Sequence, residues 1–404
     1  MDKLLLLTHR IPYPPDKGDK IRSYHLLRYL STRYEVYLGT FVDDERDWQH
    51  LTLLRGLCAE VKALPLSPLK ARVRSLRALA AGRALSVDYY SDRALAGWVA
   101  RTVDAQQIGL MVCYSSPMAQ YVSGYAQARR VMDFVDVDSD KWRQYAAGRR
   151  GAARWLYARE ARLLLAYERD VARDFDASLF VSSPEAQLFR DLAPESAARI
   201  GHYSNGVDTA KFSPSHRYPS PFAADARALV FTGAMDYWPN VDAVTWFAQE
   251  VLPAVRQAAG DVLFYIVGAR PSAAVQKLAE LPGVHVTGTV PDVRPYVAHA
   301  TLCVAPMRIA RGIQNKVLEA MAMARPVLVS PQALEGIDAV PGRELLLAGD
   351  AVTTISAILD ALRAPIRPSA PPPVTWCCAA TAGTSTCRPF PHCWRAEAPP
   401  RRRP

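Results

Sequence analysis

No stretch of this 404-residue sequence is apolar for long enough to cross a membrane, and the apolar residues 4–7 are too few for a signal peptide. We therefore expect a cytoplasmic protein. Motifs of nucleic-acid recognition are also absent, so we expect no nucleic-acid partner. The formal net charge is +10, but residues 365–404 contain six Arg and one Glu and supply half of it. The remaining charge suits an enzyme that meets anionic nucleotides or an anionic membrane surface.

Cysteine is scarce, with seven residues in the chain. Cys58, Cys113 and Cys303 stand singly in apolar segments, and we expect them in the core. The other four lie in residues 365–404 without the paired C-x-x-C spacing of a zinc site. That segment also holds ten of the 31 prolines and shows no alternation of strand and helix. We expect it to be disordered, or to be the product of a frameshift.

Short apolar runs alternate with longer amphipathic stretches through residues 1–365, a pattern typical of βα units around parallel sheets. The first set of predicted strands comprises residues 4–7, 36–41, 110–113, 131–135 and 178–181, with helices at 20–30 and 155–174. The second set comprises residues 228–232, 262–267, 284–287, 302–305 and 327–330. A Pro/Ser-rich hinge candidate at 213–221 separates them. We therefore predict an α/β protein with domains at 1–215 and 216–364 and a tail at 365–404.

The segment at residues 304–326 carries the most chemistry. It is predicted to form a strand, a loop with Gly312 and a short helix. A helix N-terminus after such a loop offers backbone N–H groups to a diphosphate. Three cationic side chains stand nearby: Arg308, Arg311 and Lys316. Glu319, one turn into the helix, would accept hydrogen bonds from two ribose hydroxyls. Considered alone, an ordinary amphipathic helix with solvated Lys and Glu explains the segment equally well.

This segment resembles the donor-binding signature of family-4-like glycosyltransferases with the GT-B fold. In that family the loop and helix usually read Glu-Gly-Phe-Gly-x-x-x-x-Glu-Ala-Met-Ala, and the matching positions are residues 311–314 and 319–322. Glu319 is kept, while Arg311 stands at the place of the first Glu, which in the family contacts the donor sugar. The resemblance implies two Rossmann-like parallel-sheet domains that face a cleft. It also implies a nucleoside-diphosphate sugar as donor.

Further stretches fit the same family over roughly residues 1–350. Residues 205–208 match its interdomain Asn-Gly-Val-Asp turn, and residues 231–240 match the glycine turn after the first strand of the second domain. At that turn the family commonly offers an Arg and a Lys to the diphosphate, and this chain offers neither. We expect Arg308 and Lys316 to replace that charge. Two later segments match the family's closing strands, which we take as structural: 334–337 and 342–346.

Residues 15–23 follow the first predicted strand and open a helix, at the kind of carboxyl-end loop where open α/β sheets bind ligands. We expect Gly18 and the N–H groups after it to face the donor diphosphate or the acceptor; a solvated charged loop is the alternative. The spacing is not G-x-G-x-x-G, so a dehydrogenase is not indicated. The donor-binding candidates in both domains are Gly18, Gly233, Arg308, Arg311, Gly312, Gln314, Asn315, Lys316 and Glu319.

Four aspartates cluster at the end of the predicted strand at 131–135: Asp133, Asp136, Asp138 and Asp140. Asp136 and Asp138 form an Asp-x-Asp sequence, which holds a divalent cation in the other large glycosyltransferase fold. Because the rest of the chain resembles the fold that works without metal, we expect no metal here. We assign Asp136 and Asp138 as catalytic residues that orient or deprotonate the acceptor hydroxyl. Capping of the next helix by Asp138 or Ser139 is the alternative.

A narrower subgroup is also indicated, the sugar transferases associated with exopolysaccharide clusters and the exosortase (PEP-CTERM) sorting system of Gram-negative bacteria. Three segments carry this resemblance: residues 8–22, 133–142 and 314–316. It implies a glycan or lipid-linked acceptor, peripheral contact with the inner membrane, and no cofactor besides the donor substrate. A nucleotide-sugar epimerase of the same fold and a non-catalytic binding scaffold remain open, the latter because Arg311 replaces a Glu.

Overall fold

The computed structural model of the protein describes residues 1–15, 18–310 and 312–363. These residues form two compact units, one from Met1 to Ser204 and one that begins at Asn205. Within the described ranges, no helix is both long and apolar enough to span a membrane. The interpretations of residues 365–404 and of Arg311 fall outside the described part of the chain.

The boundary between the units lies earlier than the expected position 215. Val207 and Phe212 are buried in the core of the second unit. Between them, the Asp208 carboxylate accepts hydrogen bonds from the N–H groups of Ala210 and Lys211, at 3.1 and 2.9 Å. This turn packs onto the second unit because its two large apolar side chains are buried there, whereas composition alone pointed to the Pro/Ser-rich stretch that follows.

The first unit contains a seven-stranded parallel sheet in the order β3-β2-β1-β4-β5-β6-β7. Its strands are β1 Asp2–Thr8, β2 Tyr34–Val42, β3 Glu60–Pro65, β4 Leu110–Tyr114, β5 Arg129–Val135, β6 Ala177–Phe180 and β7 Ile200–His202. Its helices are α1 Gly18–Ser31, α2 Leu51–Arg55, α3 Pro68–Ser75, α4 Arg77–Ala80, α5 Leu85–Tyr89, α6 Arg93–Gln106, α7 Asp138–Ala147, α8 Gly151–Asp174 and α9 Ser183–Leu192. Short 3₁₀ helices occupy Glu45–His50, Ser116–Tyr121 and Pro194–Arg199.

Apolar side chains cover both faces of this sheet. In β1, Leu5 and Leu7 belong to one core cluster, and Leu4 and Leu6 belong to another. A strand buried on both faces needs a continuous apolar run instead of an alternating one. The predicted strand at residues 4–7 is therefore confirmed, as are the other four predicted in this unit.

The second unit contains a six-stranded parallel sheet in the order β10-β9-β8-β11-β12-β13. Its strands are β8 Arg227–Thr232, β9 Val262–Val267, β10 Val284–Gly288, β11 Leu302–Ala305, β12 Val327–Val329 and β13 Leu346–Leu347. Its helices are α10 Trp238–Trp246, α11 Leu252–Ala259, α12 Ala273–Lys277, α13 Arg294–His299, α14 Asn315–Ala322, α15 Pro331–Leu334 and α16 Ala351–Arg363. A π-helical turn at Phe247–Val251 joins α10 to α11, and Leu278–Glu280 form a 3₁₀ turn.

Both sheets have the doubly wound order. The first strand of each unit lies inside the sheet, later strands are added first on one side of it and then on the other, and the strand order therefore reverses beside the first strand. Such sheets bind ligands outside the carboxyl ends of their strands, at that reversal. The expected Rossmann-like parallel-sheet architecture is confirmed in each unit. One closing strand was predicted wrongly. Residues 334–337 end α15 and turn, because Pro331 and the capping hydroxyl of Ser330 start a helix there. Of the two predicted closing segments, only the second reaches a strand, Leu346–Leu347, which pairs with β12.

Candidate functional site

The Lys316 side chain lies close to the carboxyl end of β8. Lys316 stands in the first turn of α14, directly after the loop that leaves β11. Its Nζ donates to Asn240 Oδ1 at 2.7 Å and lies 4.0 Å from the centroid of the Phe231 ring. Burial lowers the pKa of this ammonium from 10.5 to about 7, and the nearby charge of Glu319 opposes that shift only in part. A bound anion would therefore act as the counter-ion that stabilises the charged form of Lys316.

Gly233 follows β8 and brings the backbone close to Lys316. A Cβ at Gly233 would lie 2.7 Å from Asn240 Nδ2 and 3.5 Å from Lys316 Nζ. Gly268, which follows β9, has still less room, since a Cβ there would lie 1.6 Å from the carbonyl oxygen of Gly233. The two loops touch through their backbones, and the structure thus brings the predicted residues Gly233 and Lys316 together.

Glu319 lies one turn further along α14. Burial raises the pKa of its carboxyl from 4.5 to about 7, while the charges of Lys211 and Lys316 lower it. Among the residues that the structure describes, none supplies the carboxylate with a hydrogen bond. A half-buried carboxylate in this condition is suited to accept hydrogen bonds from ligand hydroxyls, which would replace the water it has lost.

The described residues of the loop before α14, with the first residue of that helix, include three of the predicted donor-binding positions: Gly312, Gln314 and Asn315. Gly312 has φ 63°, a left-handed conformation that favours glycine. Gln314 precedes the first residue of α14 without a side-chain cap, and its Nε2 donates to the Gly312 carbonyl at 3.2 Å. Asn315 Oδ1 lies 3.5 Å from Asn205 Nδ2. The N–H of Val317 already donates to the Gln314 carbonyl at 2.9 Å, so the N–H groups of Asn315 and Lys316 are the ones that the N-terminus of α14 offers to a ligand.

Arg308 is engaged elsewhere. Its Nε donates to Asp242 Oδ2 at 2.9 Å, and its Nη2 donates to the other carboxylate oxygen. The pair lines a groove of about 610 Å³ beside α10, together with Asp236 and Glu250. Because the groove carries three carboxylates, it is a poor place for a diphosphate. Arg308 would have to leave Asp242 before its charge could serve the anion site at Lys316.

In the first unit, Asp136 and Asp138 both form ion pairs with the Lys141 side chain. Lys141 Nζ lies 2.8 Å from Asp136 Oδ2 and 3.0 Å from Asp138 Oδ1. Although burial opposes the charge, the two carboxylates raise the pKa of the Lys141 ammonium well above its usual value. Asp136 Oδ1 is buried and accepts no hydrogen bond from the described residues. A divalent ion bound by both carboxylates would have to displace this ammonium.

The backbone before Asp136 is strained. Val135 has φ 72° and Ser115, at the end of the neighbouring strand, has φ 74°. A β-branched residue is rarely found in the left-handed region. The register of β5 against β6 also shifts between Asp133 and Val135. Strain of this kind is typical of functional sites, where the fold holds a loop in one conformation.

Capping does not explain the aspartates. α7 begins at Asp138 itself, and the residue before it, Val137, has no side-chain cap. The N–H of Val137 donates instead to Glu185 Oε2 at 2.8 Å. Nearby, Glu168 Oε2 is buried and accepts no hydrogen bond from the described residues. Burial, with the charge of Asp138, raises the pKa of Glu168 to about 8, so this acid is mostly protonated at neutral pH.

The start of α1 is the last predicted position. α1 begins at Gly18, as expected, and the following carboxylate, Asp19, accepts from Arg10 Nη1 at 2.6 Å. Against the effect of burial, His9 and Arg10 hold the pKa of Asp19 well below its usual range. The His9 Nδ1 atom is buried and forms no hydrogen bond with the described residues. The carboxyl end of β1 is thus a second cluster of polar groups in this unit.

Several of these groups were not found by the sequence analysis. Asn240, Lys211, Lys141 and Glu168 contact or influence predicted site residues, and His9 contacts Asp19, the neighbour of the predicted Gly18. Only two had a local signal: Lys141 stands three residues after Asp138, one helical turn away, and His9 directly follows the first strand. The other three reach the site through contacts between distant parts of the chain.

Comparison with known proteins identifies the fold of the two units. The two parallel-sheet α/β units are those of GT-B glycosyltransferase structures. Residues 226–364 match the model of the family described as Glycosyl transferases group 1, and this range includes Gly233, Lys316 and Glu319. No curated protein sequence matches the chain.

Three solved structures are similar over nearly the whole chain. HepE from Anabaena in complex with UDP is 15% identical, with a TM-score of 0.60 over 89% of this chain and 90% of that one. Sucrose-phosphate synthase from Thermosynechococcus elongatus is 15% identical, with a TM-score of 0.61 over 89% and 90%. WaaG, a glycosyltransferase involved in lipopolysaccharide biosynthesis, is 15% identical, with a TM-score of 0.59 over 88% and 90%.

Proposed function

We propose that the protein transfers a glycosyl group from a nucleoside-diphosphate sugar to a hydroxyl acceptor. The observation that carries this proposal is the pairing of Lys316 and Glu319 on one helix beside the Gly233 turn. A cation and a carboxylate one turn apart match the anionic and hydroxylated halves of a nucleoside diphosphate. The match of residues 226–364 to a glycosyltransferase family supports the proposal, as does the likeness to HepE, which was solved with UDP and with UDP-glucose.

In the proposed donor site, Lys316 and the N-terminus of α14 bind the diphosphate, and Glu319 accepts hydrogen bonds from the ribose hydroxyls. Gly312 and Gly233 let the backbone approach the phosphates closely, and Gln314 and Asn315 line the same loop. Negative charge develops on the diphosphate as it leaves, and positive groups held at that position stabilise the transition state. Arg308 and Arg311 remain proposed contributors, and Arg308 would first have to separate from Asp242.

On the acceptor side, we propose that Asp136 or Asp138 binds the acceptor hydroxyl and takes its proton. The hydroxyl oxygen would then bond to the anomeric carbon as the bond from that carbon to the β-phosphate oxygen breaks. The buried, unpaired Asp136 Oδ1 supports this role, because it is an acceptor without a donor among the described residues. Gly18 is proposed to face the phosphate or the acceptor from the start of α1.

We propose that neither a metal ion nor another cofactor takes part. The ammonium of Lys141 already neutralises the Asp-x-Asp carboxylates, and Lys316 offers the positive charge that a metal supplies to a diphosphate in other enzymes. The setting that we propose is the assembly of an exopolysaccharide or lipid-linked glycan, in the exosortase-associated subgroup. This setting implies a cytoplasmic protein in peripheral contact with the inner membrane.

The proposal is tested by replacing Glu319 with alanine. We expect the affinity for UDP-glucose to fall by about 1.5–3 kcal/mol, the usual loss for a hydrogen bond to a charged group. Isothermal titration measures this change, and Glu280→Ala, an exposed carboxylate of the same unit, serves as the control. An affinity within about twofold of wild type would contradict the ribose role. Product analysis with an added glycan acceptor separates transfer from isomerisation of the donor.

Donor affinity is expected to depend on pH with a maximum near neutrality. Lys316 loses its proton above its pKa of about 7, so binding of the diphosphate weakens as the pH rises past 7. Glu319 gains a proton below its pKa of about 7, so hydroxyl recognition weakens as the pH falls below 7. Titrations with UDP-glucose between acidic and alkaline buffers measure the profile. In Glu319→Gln the acidic decline should vanish while the alkaline decline persists; a flat profile in wild type would refute this assignment.

A further inference from the structure

A stripe of large apolar side chains on α3 and the turn after it faces solvent. Leu69, Val73 and Leu76 have 73, 62 and 58% of their surface exposed. Their spacing of four and three residues places them on one side of a helix. A surface helix normally turns such a stripe toward the core. This one does not, so the stripe has no partner within the described part of the unit.

The reason lies in what the opposite side of the helix buries. Ala71, Ser75 and Ala78 are the buried positions of α3 and α4. Small side chains let this segment lie close against the unit while its large ones point outward. Arg74 fixes the orientation by donating to the carbonyls of Asp88 and Tyr89, at 3.3 and 2.6 Å. The outward stripe is thus built into the fold.

The first turns of α8 extend this surface. Arg159 Nη2 donates to the carbonyls of Ala78 and Leu79, at 2.9 and 3.2 Å, which joins α8 to α4. Trp155 stands four residues earlier, on the same side of α8, and 63% of it is exposed. We call the exposed residues Leu69, Val73, Leu76 and Trp155 the apolar patch.

The two segments that carry the apolar patch are rich in exposed basic residues. The exposed basic residues beside the patch are Lys70, Arg72, Arg77, Arg149, Arg150 and Arg154. Neither residues 67–87 nor residues 148–159 contain Asp or Glu. The adjoining Glu160 is buried and accepts from the N–H groups of Leu85 and Ser86, at 2.7 and 2.8 Å. These two segments therefore present no exposed carboxylate that would repel an anionic partner.

We infer that the apolar patch and its basic rim dock the first unit onto an anionic lipid bilayer. Exposed leucines with an interfacial tryptophan, bordered by Arg and Lys, are the features of surfaces that insert partly among lipid headgroups. The basic rim is complementary to anionic headgroups at every position, whereas a protein partner would normally offer both signs of charge. This inference deepens the membrane contact of the proposed function, and it names the surface that makes the contact.

The test is flotation of the full chain with vesicles of phosphatidylglycerol and phosphatidylcholine, without donor or acceptor. The variant Leu69→Ser/Val73→Ser/Leu76→Ser should lower the partition coefficient by tenfold or more. Arg72→Gln/Arg77→Gln/Arg154→Gln should lower it by roughly fivefold for each charge removed, and high salt should reproduce that loss. Vesicles of phosphatidylcholine alone should bind wild type weakly.

Val340→Ser/Val352→Ser, which removes two exposed apolar side chains from the second unit, is the control and should bind as wild type does. Equal flotation of wild type and the patch variants would overturn the inference, as would failure of wild type to float with anionic vesicles. If wild type fails to float but self-associates, and Leu69→Ser/Val73→Ser/Leu76→Ser abolishes the self-association, the apolar patch is a protein interface instead. Stabilisation by UDP, followed by thermal unfolding, should be unchanged in all these variants, so failure of docking and failure of donor binding are distinguishable.

Discussion

Replacing Lys316 with methionine is expected to weaken binding of UDP-glucose by about 1.5–3 kcal/mol, or roughly 10- to 150-fold in Kd. The substitution keeps most of the aliphatic volume and removes the cation that lies beside Gly233 and Asn240. Isothermal titration measures the loss. Lys277→Met, which removes an exposed lysine of the same unit, should leave the affinity unchanged. Equal affinities for the two variants would refute the anion site.

The same substitution should not destabilise the unliganded protein. Burial has moved the Lys316 pKa from 10.5 to about 7, so the folded state disfavours the charged form. The unfolded chain binds more protons between these two values, and the stability of wild type therefore rises with pH through that window. Lys316→Met lacks this rise. Thermal unfolding of both proteins between neutral and alkaline pH measures the difference, and a large fall in Tm for the variant at pH 7 would contradict the argument.

Replacing Arg22 with methionine is expected to lower the free energy of unfolding by roughly 3–5 kcal/mol, the usual cost of leaving a buried charge without its partner. Arg22 is fully buried and makes two hydrogen bonds to Asp133, at 3.0 and 3.1 Å. It also donates to the Tyr203 carbonyl at 2.9 Å and lies 3.5 Å from the centroid of that ring. The pair ties α1 to β5 and to the residue after β7.

Urea denaturation measures the effect of Arg22→Met. The control is Arg46→Met, which breaks the ion pair between Arg46 and Asp44. The Arg46 side chain is 79% exposed, so this substitution should lower the free energy of unfolding by at most about 1 kcal/mol. Removing both charges, in Arg22→Met/Asp133→Leu, should recover part of the loss because no unpaired charge remains. If Arg22→Met and Arg46→Met cost the same, the buried pair does not stabilise the first unit.

The strands inside each sheet were predicted from the sequence, as was the edge strand β10, but the edge strands β3 and β7 were not. The predicted runs at 4–7 and 228–232 are apolar at nearly every position because both faces of a central parallel strand are buried. β3 carries Glu60 and Lys62 on the edge of its sheet, so its sequence lacks that signal. β13 is two residues long and has no periodicity to detect.

Within the candidate site, the sequence was sufficient to predict which residues share one loop and helix. Gly312, Lys316 and Glu319 are brought together by a single loop and helix, so their spacing in the sequence already fixes their spacing in the fold. Arg308 differs, because its partner Asp242 comes from a helix 66 positions away. The charge available at a site depends on such distant partners, which sequence spacing alone does not reveal.

The contact between Gly233 and Gly268 links two loops whose sequences could otherwise vary independently. Any side chain at position 268 would push the carbonyl oxygen of Gly233 away, and with it the turn that faces Lys316. Efforts to alter donor preference by randomising these loops should therefore hold both glycines constant and diversify the residues around them. Libraries built in this way would keep the backbone conformation that we propose for phosphate binding while they test new sugars.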